Sequence, residues 1–285
     1  MLAALIGALV VPLENGWRIA FLIGLLPLAY VIVIRRAIPE SPRFLRSLGR
    51  HAEADAIALE AGITLAPETG RRASLGELFG PRFGRRTITL WGLWIAMVFS
   101  YYGIFTWMPS LLASKGFSLR EALMLNLAIA LFQIPGYYTA AWAVERFGRK
   151  PSLVTFLAGA AAGAFFFANA VLAPAPSVAS VVIWGGVIAF FNLAAWGVTY
   201  TYTPEQYPTA IRASGAGLAA GAGRLVGAFA PTFVGAMLGA FGGSQFNVFI
   251  VFACVMLAGA VLVLVLGEET RGRSLESLGE EHLAA

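Results

Sequence analysis

Apolar residues run along this chain in eight blocks, at about residues 1–12, 18–34, 88–113, 121–144, 152–173, 178–203, 213–240 and 246–266. All but the first approach or exceed the roughly 20 residues that a helix needs to cross a bilayer. The pattern predicts an all-α, polytopic membrane helix bundle. The first block offers only roughly 18 Å of helix against a hydrocarbon core near 30 Å. It reads as the back half of a spanning helix whose front is missing, so the chain is expected to begin inside a larger protein. A cleaved signal peptide is the competing reading, but the block has no basic start and no convincing small-residue cleavage site.

The polar breaks divide the chain into a partial and a full spanning helix (residues 1–34), a long loop (35–86), six spanning helices (87–266) and a tail (267–285). Basic residues fall unevenly between the two sides. Sixteen lie in the long loop, at Arg146, Arg149 and Lys150, at Arg212, and at Arg271 and Arg273; only Arg18, Lys115 and Arg120 lie on the other side. The positive-inside rule makes the first side cytoplasmic, and with it the long loop and the C-terminus of a multi-pass membrane protein. Within the loop, Pro39 and Pro42 stop the preceding helix, and Phe44 to Ala61 has the character of one short surface helix with Arg46, Arg50, Glu53 and Glu60 on its polar side. The turns on the opposite side are brief, which forces an up-and-down arrangement.

Composition supports the membrane class. Hydrophobic residues make up 59% and charged residues 12%, against about 25% charged in soluble domains. The net charge of +5 is a matter of topology and does not mark a nucleic-acid partner. The single cysteine, Cys254, lies in an apolar block, and His51 and His282 are far apart, so no metal site or cofactor site is expected. No nucleophile–base constellation appears, and no enzymatic activity is expected.

One charge breaks the pattern. Arg224 lies near the middle of the 213–240 block, roughly 18 Å of helix from Arg212 and too deep to snorkel to water. An Arg at such depth costs about 3 kcal/mol on insertion scales, so a compensating environment is required. A water-filled cavity holding an anionic substrate is one; neutralisation by helix carbonyls is the other. Three further blocks carry polar groups at the same depth: Ser100, Tyr101 and Tyr102; Gln133; and Asn192. The middles of 18–34, 152–173 and 246–266 are apolar. Polar groups in lipid must face protein or water, so four helices should surround a chamber while the other three form scaffold. Trp196 is deep enough to offer a flat face to a ring-shaped substrate. Trp107, nearer a helix end, suits the site and the interfacial belt equally. Trp17, Trp91 and Trp94 are expected in the belt. Of the adjacent Tyr101 and Tyr102, one should line the chamber, with Tyr102 preferred. No Asp or Glu lies at this depth. Gly217, Gly221 and Gly223 imitate a dinucleotide-binding spacing, but an apolar helix surrounds them; with Gly227 they are expected to permit close helix packing.

Four stretches resemble the major facilitator superfamily, specifically metabolite–proton symporters near the sugar porters. They are ERFGRKP (Glu145 to Pro151), PESPR (Pro39 to Arg43), PEQYPTAIRASG (Pro204 to Gly215) and EETRGRSLESL (Glu268 to Leu278). Within that group, FSYYGIFTWMPS, GYYTAAWAVERFGRKP and FFNLAAWGVTYTYTPEQYPT are similar to stretches of bacterial niacin (nicotinate) transporters, with aromatic-acid carriers nearly as good a match. The chain departs from the sugar-porter pattern where Ser100, Tyr101 and Tyr102 replace a paired Gln, and where Ala141 replaces a Gly.

The resemblance implies the C-terminal six-helix half of a major facilitator fold, plus helix six and part of helix five. It implies secondary, proton-coupled transport of a small organic anion by alternating access, together with a missing N-terminal six-helix half. Arg224, Tyr102, Gln133, Asn192, Trp196 and Trp107 would bind the substrate. Glu145, Arg149, Glu205 and Arg212 would form an ion-pair latch at the cytoplasmic gate, made of exposed pairs. A sugar or other neutral-metabolite porter, and a non-transporting sensor or inactive fragment, are the alternatives.

Overall fold

A computed structural model describes residues 2–37, 40, 42–47, 49–62, 75–172 and 176–272. The described residues are helical, with no strand among them. They form two compact units, Leu9–Arg72 and the remainder. Among the described residues, seven helices are long and apolar enough to cross a membrane: Gly16–Ala37, Gly84–Ser114, Leu119–Phe147, Arg149–Ala170, Val178–Glu205, Ile211–Ala240 and Gln245–Leu266. The protein is a multi-pass membrane protein, as its apolar blocks require.

The smaller unit holds α2 (Gly16–Ile23) and α3 (Leu26–Ala37), then α4 (Pro42–Ser47) and α5 (His51–Glu60); a short helix α1 (Leu2–Leu9) precedes them. The single surface helix expected over Phe44 to Ala61 is thus two. Gly49, at φ 78°, takes the chain through the left-handed conformation that Gly adopts most cheaply and ends α4. An ion pair of Arg46 with Asp55 ties the two pieces together, and Arg50 pairs with Glu53 in the first turn of α5. The PESPR stretch lies partly outside the described residues, as does the tail beyond Gly272.

The larger unit is a six-span bundle: α6 (Gly84–Ser114), α7 and α8 (Leu119–Leu131 and Gln133–Phe147), α9 (Arg149–Leu172), α10 (Val178–Glu205), α11 (Thr209–Ala240) and α12 (Gln245–Leu266). The span expected as one helix at 121–144 breaks at Phe132. Pro135 has no N–H to give the Leu131 carbonyl, so the ladder is interrupted there. Pro109, Pro204 and Pro231 are absorbed within α6, α10 and α11. Ends facing away from the Arg149 turn are capped by serine: Ser118 in a full capping box with Glu121, Ser177 on α10 and Ser244 on α12. Each satisfies a backbone N–H that the first helical turn leaves unpaired.

In space the principal contacts run α8–α10–α9–α12–α6–α11. Helices α9 and α12 therefore make the back of the bundle, and α6, α8, α10 and α11 present a common face. The glycine packing predicted from sequence is real but confined. A Cβ on Gly223 would lie 2.8 Å from the Trp94 carbonyl oxygen, and one on Gly227 would overlap Val98 of α6, whereas Gly217 and Gly221 meet nothing within 4 Å. Two small residues one turn apart set how closely α11 approaches α6.

Replacing Gly223 by Leu should destabilise the bundle by about 1–3 kcal/mol through overpacking against backbone that cannot yield, seen as a lower melting temperature of the purified chain. Gly217→Leu should melt close to wild type.

Candidate substrate cavity and charge cluster

Helical spacing brings the aromatic residues of this bundle together. Trp94, Val98, Tyr101 and Tyr102 recur at the three- and four-residue intervals that share one face of α6. The same interval pairs Gln133 with Tyr137 on α8, and Trp196 with Tyr200 on α10. The faces converge on a cavity of ≈ 170 Å³, lined by Val98, Tyr101 and Tyr102 of α6, Tyr137 of α8, Leu193, Trp196 and Tyr200 of α10, and Arg224 of α11. Each of the four helices predicted to enclose a chamber contributes to it, and α9 and α12 contribute nothing.

The guanidinium of Arg224 lies over the Trp94 ring, with Cζ 5.7 Å from its centroid. Such a contact is worth about 0.5–2 kcal/mol, more as it is desolvated. Trp94 is only 3% exposed, so its expected place in an interfacial belt is wrong. Its Nε1 donates to Thr203 Oγ1 at 2.9 Å, and Thr203 in turn donates to the Thr199 carbonyl. The ring is thereby fixed to α10 and presents its face to α11. Trp196 and Tyr200 stack on one another at 5.4 Å, and Trp94 and Tyr101 meet Trp196 edge-on. Flat faces, several phenol hydroxyls and a single positive charge therefore share one small volume.

Of the residues proposed from sequence, Arg224, Tyr102 and Trp196 line this cavity. Tyr101 lines it beside Tyr102, because both long side chains reach its edge from neighbouring positions. Gln133 stands behind them, its side chain reaching Tyr101. Asn192 is fully buried, and neither of its amide atoms has a hydrogen-bond partner among the described residues. It belongs to the interior of the helix packing, one turn before Trp196. Trp107 lines a different cavity, between α6, α11 and α12. Tyr137 and Tyr200 went unnoticed in the sequence, although the i, i+4 interval from Gln133 and Trp196 pointed to them, and Trp94 was assigned to the wrong place.

At the other end of α6, six helix termini meet in a cluster of charges. Arg149 grips Glu205 through Nε at 3.0 Å and Nη2 at 3.0 Å, and reaches Glu145 at 3.7 Å. Arg212 donates to the Tyr207 carbonyl. The four latch residues thus stand at one end. The Arg149–Glu205 pair is not exposed as expected: the two side chains are 16% and 20% accessible, and only Glu145 is open, at 79%.

The segment after α12, which opens the EETRGRSLESL stretch named above, completes the cluster, a role that its resemblance alone did not announce. Glu268 pairs with Arg86, and its carbonyl accepts from Tyr202 and Gln206. Thr270 donates to Glu205. The Glu269 carboxylate accepts the backbone N–H groups of Arg149 and Lys150, each at 3.0 Å, which open α9. A carboxylate there meets both unpaired donors and the positive end of the helix dipole. Gly148 makes the fit possible: its φ is 102°, and a Cβ would stand 2.6 Å from Glu269 Oε2. Arginines close the helices that end here. Arg85 donates to the Leu266 carbonyl of α12, and Arg271 to the Arg146 carbonyl of α8. Just outside the spans, burial raises the Tyr207 hydroxyl above the usual phenol range, opposed by its hydrogen bond to Thr87.

The chain belongs to a known transporter family: residues 1–282 match the model described as sugar (and other) transporter. The niacin transporter NiaP of Acinetobacter baylyi is 45% identical over 290 residues, covering 98% of this chain and 64% of that protein. The cis,cis-muconate transport protein of the same organism is 28% identical, covering 94% of this chain and 61% of that one. Among solved structures, the major facilitator superfamily proton:xylose symporter XylE, bound to 6-bromo-6-deoxy-D-glucose, aligns with a TM-score of 0.72 at 22% identity, over 98% of this chain and 63% of that one. The fold is that of the major facilitator superfamily. The chain spans under two thirds of the length of these relatives.

Removing Glu205 leaves Arg149 partly buried with its main partner gone, so Glu205→Ala should cost about 1–3 kcal/mol of unfolding free energy. Glu145→Ala removes only a long, exposed pair and should change it by less than about 1 kcal/mol. Denaturant unfolding of the two variants tests the difference.

Proposed function

We propose that this chain forms the C-terminal half of a secondary active transporter for a small aromatic carboxylate, with nicotinate as the leading candidate. The observation that carries the proposal is Arg224 beside an aromatic cavity in the membrane-spanning part of the bundle. A carboxylate pairs with a guanidinium through charge-assisted, often bidentate, hydrogen bonds. The Trp196–Tyr200 stack offers a planar ring an offset-stacked or edge-to-face neighbour. A neutral hexose would leave the Arg224 charge unanswered. The niacin and muconate relatives, both carriers of organic acids by name, support the same class.

Under this proposal the Arg149 end faces the cytoplasm in the inner membrane, in keeping with the positive-inside count. A second six-helix half closes the cavity from the other side, and the two halves rock about it. Glu145, Arg149, Glu205 and Arg212, joined by Glu268 and Glu269, hold the inner gate shut until substrate and proton bind. No Asp or Glu lines the Arg224 cavity, so the coupling carboxylate lies elsewhere in the working transporter.

Uptake of labelled nicotinate by cells expressing the protein tests the proposal. Arg224→Ala should lower uptake at least tenfold at an unchanged membrane level, while benzoate competes and hexoses do not. Full uptake by Arg224→Ala overturns the anion site, and competition by hexoses favours a neutral-metabolite porter.

A further inference from the structure

The end of the bundle away from the Arg149 cluster carries two adjoining cavities that share no residue with the substrate cavity. The first, of ≈ 180 Å³, lies between α6, α11 and α12, and its walls are mainly Trp107, Leu111, Val234, Leu238, Phe249 and Phe252. The second, of ≈ 320 Å³, is lined by Lys115, Ser244 and other small or polar groups together with Phe246 and Phe249. Both include Ser114, Gln245 and Phe249.

The polarity is graded along the spans. Ser114 ends α6 and Gln245 begins α12, so the polar mouth stands at a membrane interface. From Gln245 to Phe252 the apolar wall descends roughly 10 Å toward the bilayer centre. Among the described residues, Lys115 is the only charged one in either lining. Gln245 Nε2 donates to Ser114 Oγ at 2.8 Å, and the Ser114 hydroxyl donates to the Leu111 carbonyl at 2.7 Å. The proton of Ser114 is therefore spent. Gln245 Oε1 is buried, and no donor among the described residues reaches it. A buried amide oxygen without a donor is unfavourable, and a ligand hydroxyl or N–H would relieve it.

We infer that this end binds a phospholipid, with an acyl chain in the α6–α11–α12 crevice and a phosphate-bearing, hydroxylated headgroup at Lys115 and Gln245. The phosphate answers the lysine, and a headgroup hydroxyl supplies the donor that Gln245 Oε1 lacks. Acyl chains are the surroundings of a crevice between spans, and its gradient from polar to apolar follows the bilayer normal. A choline headgroup brings phosphate without a donor, and an ethanolamine headgroup brings its ammonium against Lys115. Phosphatidylglycerol meets both demands.

Native mass spectrometry of the purified 285-residue chain, delipidated and then exposed to single lipids, tests the inference. Phosphatidylglycerol should be retained at least fivefold over phosphatidylcholine and phosphatidylethanolamine. Lys115→Gln should bring it to the phosphatidylcholine level, and Lys115→Arg should restore it. Val234→Trp, which fills the crevice, should lower retention of phosphatidylglycerol while Lys115 remains. Equal retention of the three lipids, or an unchanged preference in Lys115→Gln, overturns the site. Undiminished binding in a Val234→Trp chain of normal helicity overturns the acyl-chain crevice. None of these outcomes depends on the transported substrate.

Discussion

A guanidinium in the middle of a membrane bundle constrains everything around it. Arg224 is accommodated by lying against the face of Trp94, and that ring holds its place because Thr203 accepts its N–H. The same point is where Gly223 brings the backbone of α11 onto that of α6. Three helices are thus registered on one indole: α6 supplies it, α10 anchors it, and α11 lays a cation on it. The cavity beside it is aromatic because the surfaces that tolerate a half-solvated cation are π-faces and hydroxyls, not aliphatic walls.

The charge cluster at the end of the bundle obeys a different economy of groups. Helix termini leave backbone donors and acceptors unpaired, and six of them meet there. Glu269 covers the donors that open α9, while Arg85 and Arg271 cover carbonyls that end α12 and α8. The side chains that would latch a gate also finish the helices they belong to. Opening such a gate would free helix ends as well as ion pairs, so its strength is set by more than the Arg149–Glu205 contact. The opposite end, with its serine caps, carries fewer charges, Lys115, Arg120 and Glu121 among them, and holds a crevice instead.

Much of this was legible in the order of residues. Block lengths specified the spans, because an apolar helix must cover the hydrocarbon core. A lone Arg and three sets of polar residues at equal depth singled out the four helices that enclose a cavity, because lipid does not tolerate them. Helix–helix contact at glycine was legible too, though not which glycines: Gly217 and Gly221 have the same spacing as Gly223 and Gly227, yet a Cβ on either would meet nothing within 4 Å.

Tertiary packing decided the rest. Depth along a helix can be counted from sequence, but the direction a side chain faces depends on the angle at which helices cross. Asn192 and Arg224 are equally deep, yet one is sealed inside the packing and the other stands at the cavity. Trp94 looked like a residue of the interface until α10 and α11 closed over it. Glu269 lies 120 positions from Arg149, and only the folding of α12 back to the start of α9 brings that carboxylate onto the helix dipole. The chain's own pattern determined how many times it crosses and which spans bear polar groups; the crossing geometry determined which of those groups meet.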